Sequence, residues 1–419
     1  MNQTYIERLN SIFQSLRHNQ HSDFYRQHFN SLPEDFSIKT FADFERVPTV
    51  SKAELQVVSA YDRALTPAQE FELVRNTSGT TGRSFTLFRN IPFYHHKVWF
   101  DIVPPTGFLH LSDPSYLYEA MYRDHADVPS VQLQYDCLET TVKLAQGLPI
   151  NHLATFAFSL DRLIPLLQKY DFADKIQLCN LWGERVDAHH YEYVKANLPN
   201  ALITFEYSMM EGQGMLAYSI DEFDPEHGVV YTIMTHDFKG PYLEIVNPET
   251  GQAIQEPGVA GEIALTTLNY EHNPTVMFRY RTGDMASYVV YDTDIAKRRF
   301  TIHGRIDVDR ILLPGGQLLA QALSIAMRPY NDIVLYELHY TTKHPFSASS
   351  FELWLQPKTK ASIDVDHIAQ ELMQQLRVSP RASYADLVAR GTCPSIKGRS
   401  VDTLSRIGAK RRLIVEDKE

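Results

Sequence analysis

Between residues 71 and 300, short β-rich runs alternate with helical stretches, and this limits the architecture more than any other feature of the 419-residue chain. Residues 176–179 and 201–205 are strand-like, whereas 161–170 has the character of a helix. Strands alternating with helices are the pattern of an α/β fold. From 229 to 290 several β-like runs follow one another, at 229–234, 242–246, 261–266 and 287–291. Turn-forming stretches such as Asn247-Pro248-Glu249-Thr250-Gly251 separate them, which predicts an antiparallel sheet or a small barrel-like subdomain.

After Gly304 the character shifts again. Strand-like runs at 333–340 and 351–355 and an amphipathic helix over 367–376 predict a small α+β domain. The expected division is a large mixed α/β domain over residues 1–305 and a small mobile α+β domain over 306–419. At the front, Ile6, Leu9, Ile12, Phe13 and Leu16 recur at helical spacing, so residues 4–31 are expected to be helical up to Pro33. A second helical region over 41–56 is broken by Pro48, with Ser51 placed to cap Lys52-Ala53-Glu54-Leu55.

Composition removes whole classes of function. A charged fraction of 22% and a hydrophobic fraction of 44% are those of a globular chain. The net charge of −11 repels nucleic acid and anionic lipid, so neither is expected as a partner, although a local positive site for a nucleotide is compatible with it. No apolar run is long enough for a transmembrane helix, the N-terminal stretch is polar and lacks a signal-peptide core, and the last residues match no lipidation signal. Cys137, Cys179 and Cys393 are few and far apart, which argues against a disulfide scaffold and against a zinc site built on paired cysteines. A reducing, cytoplasmic setting is expected. The histidines His95-His96, His189-His190 and His125 read as structural, since adjacent residues on a helix point to different faces.

The densest chemistry lies in Asn76-Thr77-Ser78-Gly79-Thr80-Thr81-Gly82-Arg83. Two glycines let the backbone approach an anion closely, and successive amides and hydroxyls can donate to phosphate oxygens. The Gly-Lys-Ser/Thr ending of a Walker loop is missing.

The string Thr77 to Gly82 resembles the phosphate loop of the AMP-forming adenylating enzymes, the superfamily of acyl-CoA synthetases, adenylation domains and luciferases. Other segments match in the same order. Phe41-Ala42-Asp43-Phe44-Glu45-Arg46-Val47-Pro48-Thr49-Val50-Ser51-Lys52 and Trp182-Gly183-Glu184-Arg185 are similar to the phenylacetate–CoA ligase branch. Tyr207-Ser208-Met209-Met210-Glu211 resembles the family's Tyr-Gly-x-Thr/Ser-Glu, and Tyr280-Arg281-Thr282-Gly283-Asp284 matches its Tyr-Arg-Thr-Gly-Asp. Gly304-Arg305-Ile306-Asp307, with Gly315-Gly316 beyond it, resembles the hinge motif. The resemblance runs from about residue 40 to the C-terminus.

It implies ATP-dependent activation of a small aromatic or apolar carboxylic acid as an acyl-adenylate, with release of pyrophosphate. Transfer to a thiol follows, coenzyme A by default, with a carrier-protein thiol or an amine as alternatives. Such a reaction gathers negative charges, so catalysis is mainly positioning and neutralisation. By the resemblance, Thr77, Ser78, Gly79, Thr80, Thr81 and Gly82 would cradle the leaving phosphates, and Glu211 would be the Mg²⁺ ligand. Tyr207 would stack on adenine, with Ser208 and Glu184 at the same nucleotide site. Asp284 would accept both ribose hydroxyls, and Arg305 would contact ribose or phosphate. Asp307 would be the hinge for rotation of the small domain.

The lysine that bridges carboxylate and α-phosphate falls on Lys410 when Leu404-Ser405-Arg406-Ile407-Gly408-Ala409-Lys410 is aligned from its leucine and arginine, with Lys397 as the fallback. Tyr94 and His95 are candidates for the acid pocket, and so are Trp182 and Phe205, for each of which core packing is the role favoured over it. Departures mark a divergent member. Ser84 and Phe85 stand where the phosphate loop usually continues with Pro and Lys or Thr, and Ser208 and Met210 replace a glycine and a hydroxyl residue. They motivate a reading of another class, a nucleotide-binding relative without turnover, against which Glu211, Asp284 and the hinge weigh. The sequence leaves the homodimer open.

Overall fold

The structure is a computed structural model. It describes residues 2–20, 23–65, 73–76, 86–89, 98–111, 128–133, 137–183, 186, 188–209, 211–212, 214–225, 228–234, 241–268, 275–305, 310–313, 316–344, 347–358, 363–379, 382–404 and 413–417. Helix α1 (Asn2–Arg17) turns Leu9, Ile12, Phe13 and Leu16 into the main core, the face that their spacing predicts. The helix expected over 4–31 is two helices, because the chain leaves α1 after Arg17 and re-enters as α2 (Phe24–His28). The break contains Asn19 and Asp23, residues that compete with helical backbone hydrogen bonds, and the Asn19 amide donates to the Leu65 carbonyl at 3.2 Å.

Helices α3 (Phe41–Glu45) and α4 (Lys52–Gln56) flank Pro48. Each opens with a reciprocal capping box, Thr40 with Asp43 and Ser51 with Glu54, so Ser51 caps as its position predicts.

Strands β1 (Leu73–Asn76) and β2 (Thr86–Arg89) pair antiparallel. The main sheet begins with β3 (Phe108–Leu111) and β4 (Ser130–Leu133). After helix α5 (Leu138–Leu144) come β5 (His152–Thr155), helix α6 (Leu160–Lys169), β6 (Leu178–Trp182), helix α7 (Ala188–Asn197) and β7 (Leu202–Met209). These strands are parallel, in the order β7-β6-β5-β3-β4, and β5 and β6 are buried along their whole length, as a parallel sheet covered on both faces requires.

The same sheet continues antiparallel through β8 (Gly214–Ile220), β10 (Gly228–Ile233), β11 (Tyr242–Val246), β12 (Gly261–Thr266), β13 (Tyr280–Val290) and β14 (Arg299–Arg305), with β9 (Phe223–Asp224) paired to β10. The β-rich run is therefore antiparallel, as expected. Among the described residues it is not a closed barrel: the order β11-β12-β13-β14-β10-β8-β7 is open, and β10 bonds β14 on one side and β8 on the other.

The smaller C-terminal α+β domain holds β15 (Arg310–Leu313), β16 (Gly316–Leu319), α8 (Ala320–Met327), β17 (Ile333–His344), β18 (Ser347–Pro357), α9 (Val365–Gln375), β19 (Arg377–Ser379), β20 (Ala382–Ser383), α10 (Tyr384–Ala389), β21 (Ile396–Ser400) and β22 (Ile414–Glu416). Four of its strands form a sheet in the order β21-β18-β17-β22. Its core, from Ile311 to Ile414, is separate from the main core, whose members extend from Tyr5 to Phe300. Among the described residues no helix is long and apolar enough to cross a membrane.

Candidate nucleotide site

The pentapeptide Tyr280-Arg281-Thr282-Gly283-Asp284 opens β13, and each residue in it has a physical task. Tyr280 is buried in the main core. Arg281 Nε donates to Glu262 Oε2 at 2.6 Å, and Glu262 Oε1 accepts the Gly283 amide at 2.9 Å. The Thr282 hydroxyl donates to the Ile263 carbonyl and accepts the Asp284 amide. Gly283 has φ of +82°, which favours glycine because it has no Cβ. Where β12 advances from Glu262 to Ala264, β13 advances from Met285 to Arg281, so Thr282, Gly283 and Asp284 bulge from the ladder. A bulge of this kind re-aims side chains at a strand end.

Asp284 is thereby presented, buried, to two partners from distant parts of the chain. The Tyr207 hydroxyl, on β7, donates to Asp284 Oδ2 at 2.6 Å. Arg305, directly opposite Asp284 across the β13–β14 ladder, places Nε 3.7 Å from Oδ1 and donates from Nη2 to the Thr282 carbonyl at 3.2 Å. Burial, and then the Asp284 carboxylate, hold the Tyr207 phenol well above its ordinary pKa, so it stays a protonated donor. The Asp284 charge is the first cause of the raised pKa of Arg305.

Glu211, in the turn after β7, is buried and belongs to the same electrostatic cluster. Burial and then the Glu211 charge push up the Tyr280 phenol, and the same charge supports the Arg305 cation. Ser208 is half-buried, next to Tyr207 at a register irregularity between β7 and β8. The structure thus brings Tyr207, Ser208, Glu211, Asp284 and Arg305, expected from five motif positions, to one place.

The other expected residues are distributed differently. Thr77, Ser78, Gly79, Thr80, Thr81 and Gly82 lie outside the described residues, as do Tyr94, His95, Glu184, Asp307 and Lys410. The residues on either side of that segment are described: Asn76 and Thr86 are partners at the end of the β1–β2 ladder. That pair is anchored where the Phe88 amide donates to Thr275 Oγ1 at 2.9 Å, five residues before Tyr280. Lys397 is exposed on β21, opposite Glu352. Phe205 is not a pocket residue; it is sealed in the main core on the face of β7 away from Glu206.

Among the described residues no group of three or more His, Cys, Asp or Glu side chains is gathered as a metal cage. Mg²⁺ is commonly held by one or two carboxylates together with substrate phosphates. The single carboxylate of Glu211 beside Arg305 and Tyr280 fits an ion that arrives with its nucleotide.

Three supporting residues escape sequence reasoning. Glu262 ties down the motif, and Arg279 is paired with Glu244 through two hydrogen bonds of 2.8 and 3.0 Å. The signal for both glutamates is a charge inside a strand that is otherwise apolar on both faces. Arg279 also donates to the carbonyls of Glu45, Val47 and Gly251. Beside it, the Val50 amide donates to the Arg279 carbonyl and the Val50 carbonyl accepts the Arg281 amide. The segment from Phe41 to Lys52 therefore acts as a brace on the start of β13.

The large mixed α/β domain and the smaller C-terminal α+β domain recur together in solved structures that share this fold. Among solved structures, 2-hydroxyisobutyryl-CoA ligase in the postadenylation state is similar, in complex with R3-HIB-AMP (TM-score 0.75, 14% identity) and with 2-HIB-AMP (TM-score 0.75, 15% identity). Each of these likenesses covers 100% of this chain and 90% of the other. The ATP-bound RpMatB-BxBclM chimera B3 is similar over 82% of this chain and 67% of the other, at a TM-score of 0.57 and 16% identity. Apo MatB from Rhodopseudomonas palustris is similar over 81% of this chain and 66% of its own, at a TM-score of 0.52 and 15% identity. At these identities the likeness is one of fold. No protein-family model matches the chain, and no curated protein matches it in sequence.

Proposed function

We propose that the chain is a cytoplasmic ATP-dependent ligase that activates a small carboxylic acid as an acyl-adenylate, releases pyrophosphate, and passes the acyl group to a thiol, coenzyme A by default. The observation that carries this reading is the meeting of Tyr207, Asp284 and Arg305, within a fold whose similar structures are named for acyl-adenylates and ATP. Asp284 is an acceptor with two oxygens, one receiving the Tyr207 hydroxyl and the other facing Arg305. Its remaining lone pairs suit the paired hydroxyls of a ribose. Tyr207 offers adenine a ring whose position is fixed by that bond, with Ser208 and Glu184 alongside. Arg305 and a Mg²⁺ held by Glu211 offset the charge of the phosphates, and the loop from Thr77 to Gly82 receives the leaving pyrophosphate.

Residues 1–305 form the large domain in this reading and 306–419 the mobile one. Asp307 is the hinge, and Lys410 reaches the carboxylate and α-phosphate, with Lys397 as the fallback. Affiliation to the phenylacetate–CoA ligase branch, and with it an aromatic acid, rests on the segments at 41–52 and 182–185. A structurally similar ligase is named for a hydroxy acid, so the fold does not demand an aromatic substrate. A carrier-protein thiol or an amine is the alternative acceptor.

Pyrophosphate release with ATP and Mg²⁺ across a panel of small acids, with and without coenzyme A, tests the reading. Acid-dependent release with a thioester product is the expected result. Release without a thioester redirects the acceptor to a carrier protein or an amine, and ATP binding without release across the panel overturns turnover in favour of a non-catalytic relative. Lys410→Ala should lower adenylation by orders of magnitude, and unchanged adenylation would remove Lys410 from the mechanism.

A further inference from the structure

The two edges of the smaller domain's four-stranded sheet are held differently. Strand β21 pairs with β18 over five residues, from Ile396 opposite Phe351 to Ser400 opposite Leu355. The chain beyond it stays attached: the Val401 amide donates to the Leu355 carbonyl at 2.9 Å, and the Leu404 amide to Gln356 Oε1 at 2.7 Å. Strand β22, at the other edge, has three residues and pairs with β17 from Ile414 opposite Leu338 to Glu416 opposite Tyr340. The Leu338 amide donates to the Leu413 carbonyl and the Asp417 amide to the Tyr340 carbonyl, each at 2.8 Å. A short edge strand frays unless something ties it down. Lys410 precedes Leu413 by three residues and follows Leu404 by six, so β22 is its nearer anchor along the chain.

The tie is His339. Its side chain is 1% exposed and faces a carboxylate at each ring nitrogen. Nε2 lies 2.9 Å from Glu337 Oε2, and Nδ1 lies 3.1 Å from both oxygens of Asp417. A neutral imidazole has one N–H and one lone pair, so it donates to only one of these acceptors; the imidazolium donates to both. Stacking on Trp354 fixes the plane of the ring. Among the described residues the same face also carries Glu352, the partner of His339 across the β17–β18 ladder, and from β21 Arg399 and Lys397. Glu352 accepts the Trp354 indole N–H at 2.9 Å and lies 3.3 Å from Arg399, whose guanidinium sits over the Trp354 ring. Burial opposes a charged ring, but the hydrogen bonds and charges of Glu337 and Asp417 outweigh it. The two carboxylates differ in one respect. The Glu337 side chain is 4% exposed and that of Asp417 is 43% exposed. Asp417 can take water in place of the ring, whereas Glu337 is shut away from solvent, so Asp417 is the partner released when the ring loses a proton.

We propose that His339 and Asp417 form a proton-operated latch, in which the imidazolium pins β22 to β17 and its deprotonation releases Asp417 and loosens the strand. His339 is thereby a positioning residue for Lys410. That second step rests on the adenylation reading, and the latch itself does not. Because the imidazolium is the latched form, the latch is closed at pH 6 and loosens as the pH rises into the alkaline range.

The test is amide hydrogen exchange of the full chain at pH 6 and pH 9, with each rate divided by that of an unstructured chain at the same pH. In the unaltered protein, protection of residues 413–417 and of the Leu338 amide should fall roughly three- to tenfold between the two, the scale of a charge-assisted bond that solvent partly screens. The Val401 amide and those of β21 should keep theirs. Asp417→Asn should show the loosened level at both pH values, and Asp417→Glu should restore part of the pH dependence. Protection of 413–417 that is equal at both pH values, a loss equally large in β21, or an unaltered pH dependence in Asp417→Asn overturns the latch. Pyrophosphate release with ATP, Mg²⁺ and butyrate, 2-hydroxyisobutyrate or phenylacetate reads the consequence for Lys410. At pH 6 Asp417→Asn should lower kcat roughly two- to fivefold and leave the KM for ATP unchanged, and the gap should close at pH 9. Exchange that shows the latch without a kcat gap overturns the positioning of Lys410 alone. No release with any of the acids in the unaltered protein contradicts the adenylation reading, and the exchange result still decides the latch.

Discussion

Two arginine–carboxylate pairs lie on the same sheet and are built in opposite ways. Arg279 is sealed: its side chain is 1% exposed, and its guanidinium bonds both oxygens of Glu244 and three backbone carbonyls. Its face also lies over the ring of Phe44. It adopts φ of +46°, a conformation that a residue with a Cβ keeps only where its surroundings over-determine it. Arg305 is open: its side chain is 30% exposed, and it stands 3.7 Å from Asp284, beyond hydrogen-bond distance. A pair that holds a fold is saturated by its own protein. The contrast fits an architectural Arg279, and in the proposed function the more exposed Arg305 serves the nucleotide.

The contrast predicts where substitutions act. Arg279→Met should be the most damaging, at about 3–5 kcal/mol of stability, because Glu244 is left buried without its partner. Chemical denaturation reads this, and the folded remainder should keep ATP affinity close to that of the unaltered protein. A loss of affinity without a loss of stability would break the distinction. Glu262→Gln comes next. It weakens the bonds to Arg281 and Gly283, and about 1.5–3 kcal/mol of charge-assisted hydrogen bonding is at stake. It should raise the KM for ATP more than it lowers the midpoint of unfolding, because the residue shapes the bulge that presents Asp284.

Tyr207→Phe removes one hydrogen bond to Asp284 and keeps the ring, so a several-fold weakening of ATP binding is expected, on the scale of about 0.5–1.5 kcal/mol. Unchanged affinity would show that the hydroxyl does not orient the carboxylate.

The smallest effect is expected in the C-terminal domain, where a third cluster is again saturated. His339 is buried, stacked on Trp354 at 3.8 Å, and bonded to Glu337 from β17 and to Asp417 beyond β22. Glu352 and Arg399 flank it, joined to each other at 3.3 Å. Burial opposes the imidazolium, but the hydrogen bonds and charges of Glu337 and Asp417 outweigh it and raise the pKa. A raised histidine pKa contributes stability that is full below about pH 6.5, the unfolded value, and is lost as pH rises through the folded value. Thermal stability should therefore decline on going from pH 6 into the alkaline range, and Asp417→Asn should flatten that decline while leaving ATP affinity unchanged. A steeper decline in the variant would contradict the assignment.

Much of the site was legible because its residues sit in contiguous strings. Tyr207, Glu211, Asp284 and Arg305 can be read from their motifs, and the structure gathers them. The α/β character was also visible, and β6, β7, β10, β11, β12, β17 and β18 overlap strand-like runs of the sequence. What escaped has physical causes. Strand β21 is Ile-Lys-Gly-Arg-Ser and largely exposed at a sheet edge, and β22 has three residues, so neither shows a periodicity. The pairing of Arg279 with Glu244 spans 35 residues and depends on register, which no local pattern encodes. The polar face of β6 and β7 was hidden in plain alternation, because Asn180 and Glu206 become neighbours only when the strands are laid side by side.

The most direct test of the account is ATP affinity, measured by calorimetry with Mg²⁺, in the unaltered protein and in Asp284→Ala. The account predicts that the unaltered protein binds ATP and that the variant, still folded, binds it roughly 10- to 100-fold more weakly, the scale of lost hydrogen bonds to a charged group. Equal affinity in the two proteins would contradict the placement of the nucleotide at the Tyr207–Asp284–Arg305 cluster.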